Sequence, residues 1–196
     1  MSDDFLKDPL SLFSVKGQTA IVTGASGAFG ALAAKVLAGA GANVVISAGG
    51  AEALKKVAAE CAALGGKVET VAVRPSSEAN CDKIVDAAVK AFGRVDILVV
   101  ASGINKVSKI VDQKAEDFLD GMDANVTQSW LMARAAGRQM LKQGQEGKPG
   151  GKVILMSSAR GLLGHPAGYT AYCASKSAID GITKALGCEW GNTGIT

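Results

Sequence analysis

"TAIVTGASGAFG", Thr19–Gly30, decides how the rest of the chain reads. Its first five residues are nearly all β-forming and carry no charge, as in a strand buried on both faces. The chain then passes through a glycine-rich turn, and a helical pattern opens at Phe29. A strand, a tight turn and a helix in that order form the first unit of a parallel α/β sheet. Glycines at 24, 27 and 30 let backbone amides approach a pyrophosphate, whose charge a helix N-terminus attracts. Gly24, Ser26, Gly27, Phe29 and Gly30 are therefore the first candidate cofactor contacts. Taken alone, such a turn is often only a turn; its position after the first strand is what gives it weight.

The same alternation continues outward. Strands are expected at Asn43–Ser47, Val68–Val73, Val95–Val100 and Lys152–Met156. Helices are expected near Phe29–Ala40, Ala51–Leu64, Glu78–Phe92, Lys114–Gln143 and Ala171–Trp190. Gly41, Gly65 and Gly93 stand where helices should stop. "GQEGKPGG", Gly144–Gly151, reads as a surface loop before the fifth strand. The expected architecture is a doubly wound parallel sheet with helices on both faces, a Rossmann fold. It forms one dinucleotide-binding and catalytic domain over 1–196, with 1–14 as an N-terminal extension.

Composition excludes several alternatives. The chain has 196 residues, enough for a sizeable core. A net charge of +3 gives no reason to expect nucleic acid or an anionic membrane as partner. One histidine and four cysteines without a CxxC pair make a zinc site an unsuitable reading, so no metal is expected. Scattered thiols and an acidic, non-apolar start fit a cytoplasmic protein without a signal peptide. The longest apolar run, "VDILVVASGI", is too short to span a bilayer.

Three further stretches carry chemistry-bearing residues. Ala101-Ser102-Gly103 ends the fourth strand, where small residues would allow a cofactor close approach; from spacing alone, a buried strand followed by a plain loop is the better reading. Ser157 and Ser158 follow the fifth strand, at the ligand-binding edge of such a sheet. "YCASK" places Tyr172 and Lys176 four residues apart, on one face of a helix. A free phenol titrates near pH ~10, and an ammonium alongside favours its ionised form. That makes the pair sensible as a tuned acid/base, although an isolated YxxxK is usually an ordinary amphipathic stripe.

Together these motifs resemble the short-chain dehydrogenases/reductases from about Val15 to the last residue. The glycine turn, Asn125 in "ANV", the serine and the YxxxK pair occur in that family's order. The resemblance implies an NAD(P)-dependent oxidoreductase acting on a ketone or secondary alcohol, such as a sugar acid, polyol or 3-oxoacyl thioester. It implies Tyr172 as general acid/base and Ser158 as the group that orients the reacting oxygen. Lys176 would lower the tyrosine's pKa and bind the nicotinamide ribose. Asn125 would hold a relay water. Tyr172 and Lys176 thus count among the cofactor contacts too, and the helices at Ser129–Leu141 and Ala174–Trp190 would bundle with a second copy into a homodimer or homotetramer.

The chain departs from the family pattern at several points. Ala28 takes the place of the middle glycine. The second strand ends in Ala48 and Gly49, with neither the acidic residue typical of NAD users nor the basic one typical of NADP users. Arg74 replaces an aspartate that normally meets adenine. The missing carboxylate removes the usual repulsion of a 2′-phosphate and points to NADP over NAD, while Arg74 could stack on adenine, pair with a 2′-phosphate, or be a solvated arginine beside Pro75. Val100 stands where the family has a sheet-stabilising asparagine. The serine-to-tyrosine interval is one residue longer than usual, in "GHPAGYTAY", which makes His165 and Tyr169 candidate substrate contacts beside Ser158. The frame S-S-x-x-G selects Ser158 over Ser157. "EWGNTGIT" is where family members enter a sixth strand, so a shortened form without that strand is expected. A nucleotide-binding module without turnover is the alternative reading, and an epimerase or dehydratase of the extended superfamily is a third.

Overall fold

The computed structural model describes residues 6–196. Residues 1–5 of the expected N-terminal extension lie outside them, and the rest of the extension contains a 3-10 turn at Pro9–Phe13. The strands are β1 (Thr19–Thr23), β2 (Asn43–Ser47), β3 (Lys67–Val71), β4 (Ile97–Val100) and β5 (Lys152–Leu155). They form one sheet in the order β3-β2-β1-β4-β5, with every pair parallel. The chain builds outward from β1 through β2 to β3, then returns to place β4 on the other side of β1. That reversal opens a crevice above the carboxyl ends of β1 and β4, where Thr23 pairs with Val100.

The helices are α1 (Ala28–Gly39), α2 (Ala51–Ala63), α3 (Glu78–Phe92), α4 (Ala115–Met122), α5 (Gln128–Gln145) and α6 (Thr170–Glu189). Alternate strand residues face opposite layers. Ala20, Val22, Val44, Ile46, Ile97 and Val99 pack against Ala34 and Ala38 of α1 and Leu54, Val57 and Cys61 of α2. Ile21, Val45, Leu98 and Val100 meet Ile84 and Ala88 of α3, Met132, Ala136 and Met140 of α5, and Trp190 beyond α6. Trp190 lies directly over Gly137 of α5, whose added Cβ would stand 2.6 Å from the indole. Both layers are closed by short local signals. Ser77 caps α3 by accepting from the Asn80 N–H, and Gly93 ends it in the left-handed region at φ 82°.

Four expectations need correction. Strands buried on both faces hold for β1 and β4, which are fully buried, but not for β3 and β5. Those two flank the sheet, and Ile154 of β5 is 48% exposed. The single helix expected over 114–143 is two helices joined by a π turn at Asp123–Thr127. No strand was expected after α6, yet Ile195 bridges Gly151 in parallel, and Val153 N donates to the Thr196 carbonyl at 2.8 Å. The strands at 95–100 and 68–73 are also shorter than expected. Val95 is bound by a side chain instead, Gln143 accepting from its N–H and donating to its carbonyl, while Asp96 keeps backbone bonds to Thr19 and Lys152 and its carboxylate accepts from the Thr19 N–H. Among the described residues no helix is long and apolar enough to cross a membrane.

Candidate active site

The crevice begins at the glycine turn. Gly24 has φ +68°, and a Cβ on it would stand 2.5 Å from the Ser102 N, so the turn after β1 presses on the end of β4. A Cβ on Gly30 would collide with the Gly24 carbonyl oxygen. Gly30 is therefore a packing residue beneath the turn rather than part of its lining. Gly27 is the N-cap of α1 and, having no side chain, leaves the first-turn N–H groups uncapped. Ala28 is exposed, begins the helix normally and lies outside the lining, so its methyl is accommodated without strain.

From there a cleft runs in two connected parts that share Ala101, Ser102, Gly103 and Ile104. The first part, about 240 Å³, is walled by Gly24, Ser26 and Gly27 on one side and by Ala48, Gly49 and Arg74 on the other. Arg74 lies across Gly49, where a Cβ would stand 2.8 Å from its Nε. The second part, about 430 Å³, is lined by Phe29, Ser157, Ser158, Tyr172 and Lys176. Both volumes are in the range of small-molecule sites or just below it.

Lys176 is only 5% exposed, and its Nζ donates to the Met156 carbonyl at 2.7 Å. Nζ also stands 5.6 Å from the centroid of the Tyr172 ring. Burial pushes the Lys176 ammonium below the ordinary lysine value, and the charge of Asp180 one turn along α6 opposes that shift. Ser158 caps the 3-10 turn Ala159–Gly161, its Oγ accepting from the Arg160 N–H. Ser157 Oγ donates instead to the Lys176 carbonyl at 3.2 Å.

Asn125 lies behind the cleft, 1% exposed, in the π turn. Its Oδ1 accepts from the Ile104 N–H at 2.7 Å, and its Nδ2 donates to the Ile104 carbonyl and to Ser175 Oγ, both at 2.9 Å. Ser175 Oγ in turn donates to the Tyr172 carbonyl. Asn125 thus ties the loop after β4 to the helix that carries Tyr172. A Cβ on Gly103 would meet Asn125 Oδ1 at 2.9 Å and Lys176 Nζ at 3.7 Å. Glycine at that position keeps the two polar groups on one floor.

His165 and Tyr169 do not line the cleft. Their rings stack at 4.3 Å, and Tyr169 meets Tyr172 edge-on at 6.1 Å. The loop that carries them is fixed: Ser108 N donates to the Gly168 carbonyl and Lys109 Nζ to the Pro166 carbonyl. Sequence reasoning passed over Ile104, Ser175, Gln128 and Met156. Ile104 and Met156 participate through backbone groups, which no side-chain pattern reveals. Ser175 lies inside the quoted YxxxK stretch, and its spacing of three from Tyr172 was the available signal.

The residues present fit a nicotinamide dinucleotide. Gly24 and Gly103 line the cleft without side chains, at positions where the chain packs too closely for a Cβ, and the cleft leads from the helix N-terminus to the Tyr172–Lys176 pair. The comparisons agree. An uncharacterized oxidoreductase of Mycobacterium tuberculosis is 44% identical over 95% of this chain and 67% of its own length. A short-chain type dehydrogenase/reductase from Mycobacterium marinum superposes with a TM-score of 0.90 at 35% identity, covering 95% of this chain and 74% of that one. A short chain dehydrogenase from Mycobacterium paratuberculosis, solved bound to NAD, gives 0.86 at 29% identity, over 93% and 70%. The family model for short chain dehydrogenase matches residues 18–196, from just before β1 to the last residue. This chain belongs to the short chain dehydrogenase family, whose members are oxidoreductases acting on CH–OH groups.

Proposed function

We propose that the chain interconverts a ketone and a secondary alcohol, with Tyr172 exchanging the proton at the reacting oxygen. The observation that carries this reading is the shared cleft: Tyr172, Lys176 and Ser158 line one hollow, and Lys176 is buried at its base. The nicotinamide cofactor would supply or take up the hydride at the carbon.

The residues divide the remaining work. Ser158 Oγ already accepts from the Arg160 N–H, so its own O–H is left to donate to the substrate oxygen. Lys176, fixed by the Met156 carbonyl, places a positive charge beside the Tyr172 ring and offers its remaining N–H groups to the ribose. The side-chain amide of Asn125 is occupied by Ile104 and Ser175. Holding a relay water would therefore fall to its main-chain carbonyl, which accepts from Ser129 Oγ. Gly24, Ser26, Gly27 and Phe29 would hold the phosphates and nicotinamide. Ala48, Gly49 and Arg74 would hold the adenosine end, with Ala101, Ser102 and Gly103 between. His165 and Tyr169 would act indirectly, Tyr169 packing against the Tyr172 ring and His165 stacking on Tyr169.

NADP is the preferred cofactor in this reading. Arg74 lies on Gly49 just after β2, α2 follows its N-cap Gly50 without a side-chain cap, and no carboxylate lines this part of the cleft to repel a 2′-phosphate. The protein works as a homodimer or homotetramer in the cytoplasm on a small carbonyl substrate. Exposed Trp130 on α5 supports the assembly, and the free thiols support the location.

The test is absorbance of reduced cofactor against a panel of ketones, comparing the protein with Ser158→Ala. The expected result is a loss of about 100-fold or more in kcat, the scale of removing one donor to a developing oxyanion. Equal turnover by both proteins would remove Ser158 from the mechanism.

A further inference from the structure

Two adjacent serines follow β5, and only one is assigned a role at the substrate. The other is part of a set of contacts that the catalytic reading does not use. Ser157 Oγ donates to the Lys176 carbonyl at 3.2 Å. Ser177 Oγ, the next residue on α6, donates to the Gly161 carbonyl at 2.6 Å. Gly161 itself rests against the helix: a Cβ there would collide with Asp180 Oδ2 and stand 3.1 Å from both the Lys176 carbonyl and Ser157 Oγ. The short turn 157–161 is thereby pressed onto a single turn of α6, the one that begins with Lys176.

The turn's other hydrogen bonds are local: the Ser158 Oγ cap, Gly161 N to the Ser158 carbonyl, Leu162 N and Leu163 N to the Ala159 carbonyl, and the Arg160 guanidinium to the Gly164 carbonyl. A three-residue 3-10 segment has poor intrinsic stability. Its orientation relative to α6 is set by the contacts at both ends, from Ser157 and from Gly161. Ser158 lies between those ends, and Tyr172 and Lys176 are on the helix they grip. A displacement of about 1 Å between such groups is enough to cost roughly 100-fold in rate.

We infer that Ser157, Gly161 and Ser177 form a clamp that fixes Ser158 against the Tyr172–Lys176 face of α6, with the Asp180 carboxylate as its backstop. These are positioning residues: none needs to touch substrate for the clamp to work. Asp180 has a second effect through the same geometry, since its charge stands one turn from Lys176 and opposes the effect of burial on that ammonium. The inference rests on the reading of Ser158 as the group that orients the reacting oxygen, and it extends that reading to the residues that aim it.

The clamp is tested most cleanly at Ser177, which is exposed and outside the cleft. Ser177→Ala removes the hydroxyl, and Ser177→Thr keeps it. Two readouts are taken on the whole chain. The first is hydrogen exchange at the Gly161 and Leu163 amides, with Ile179 in α6 as control. Ser177→Ala should exchange about fivefold faster at the turn and unchanged at Ile179, while Ser177→Thr should match the parent protein. The second is steady-state kinetics with the best ketone of the panel. Ser177→Ala should lose about fivefold in kcat at unchanged cofactor affinity and unchanged melting temperature, and Ser177→Thr should restore it. Unchanged exchange in Ser177→Ala overturns the clamp whether or not the chain turns over. Faster exchange with unaltered kcat overturns its positioning role. A parent protein without Tyr172-dependent turnover would instead count against the proposed function, with the exchange result still deciding the contact.

Discussion

Lys176 combines burial with charge, and its linkage to pH has a definite sign. The folded protein gives up the Lys176 proton below the ordinary lysine value of 10.5, whereas the unfolded chain holds it up to that value. Between the two, the unfolded chain binds more protons, so stability rises with pH across that window. Below the lowered value the cost of burying the charge is present in full; above about 10.5 it is gone. Urea denaturation of the protein and of Lys176→Met should therefore show the parent gaining relative to the variant as pH rises through the window. A difference that stays flat would mean that Lys176 is not penalised by burial. Arg74 is the other residue on which a specific claim rests. Arg74→Ala should weaken NADPH binding about tenfold and NADH binding by less than threefold, as loss of one charge-assisted contact to phosphate implies. Equal losses measured by cofactor fluorescence would place Arg74 against adenine or in solvent instead. Neither residue's setting was legible in the sequence. Arg74 and Gly49 come from different loops and meet only because β2 and β3 pair in register.

At the scale of elements, the glycine turn and the π turn do different work. The first was legible: a β-forming run, glycines at fixed places and a helix leave few other folds. Gly30→Ala should cost about 1–3 kcal/mol, the usual range for overpacking, because the new methyl meets the Gly24 carbonyl. Cofactor affinity should fall with it, and denaturation followed by titration would measure both. The π turn was not legible. "DANVT" contains neither proline nor glycine, and the apolar period on either side runs on as if one helix spanned it. Only the packing of Asn125 against Ile104 and Ser175 shows why the helix widens there. Asn125→Ala would leave the Ile104 N–H and carbonyl without their partner. A loss of about 2 kcal/mol is expected, within the range for stranded polar groups. Stability equal to the parent's would show that the loop finds other partners.

For the whole molecule, strand order follows from alternation and was expected in kind; the exposure of the edge strands was not. Strands β3 and β5 are composed like inner strands but lie at the sides of the sheet, because nothing in five residues reports how many neighbours a strand will have. Assembly belongs to this scale. Light scattering at micromolar concentration should give two or four times the 19.8 kDa of one chain, and Trp130→Glu should lower that mass. A single-chain mass for the parent would remove the oligomer from the account. The central claim remains that one cleft joins a dinucleotide cradle to a tyrosine that handles the proton. It is tested most directly by titrating NADPH and NADH into the protein and into Tyr172→Phe, then adding the ketone panel to the same samples. The account predicts saturable binding to both proteins, with turnover only where the Tyr172 hydroxyl is present. Turnover that survives in Tyr172→Phe, or a chain that binds neither cofactor, would contradict it.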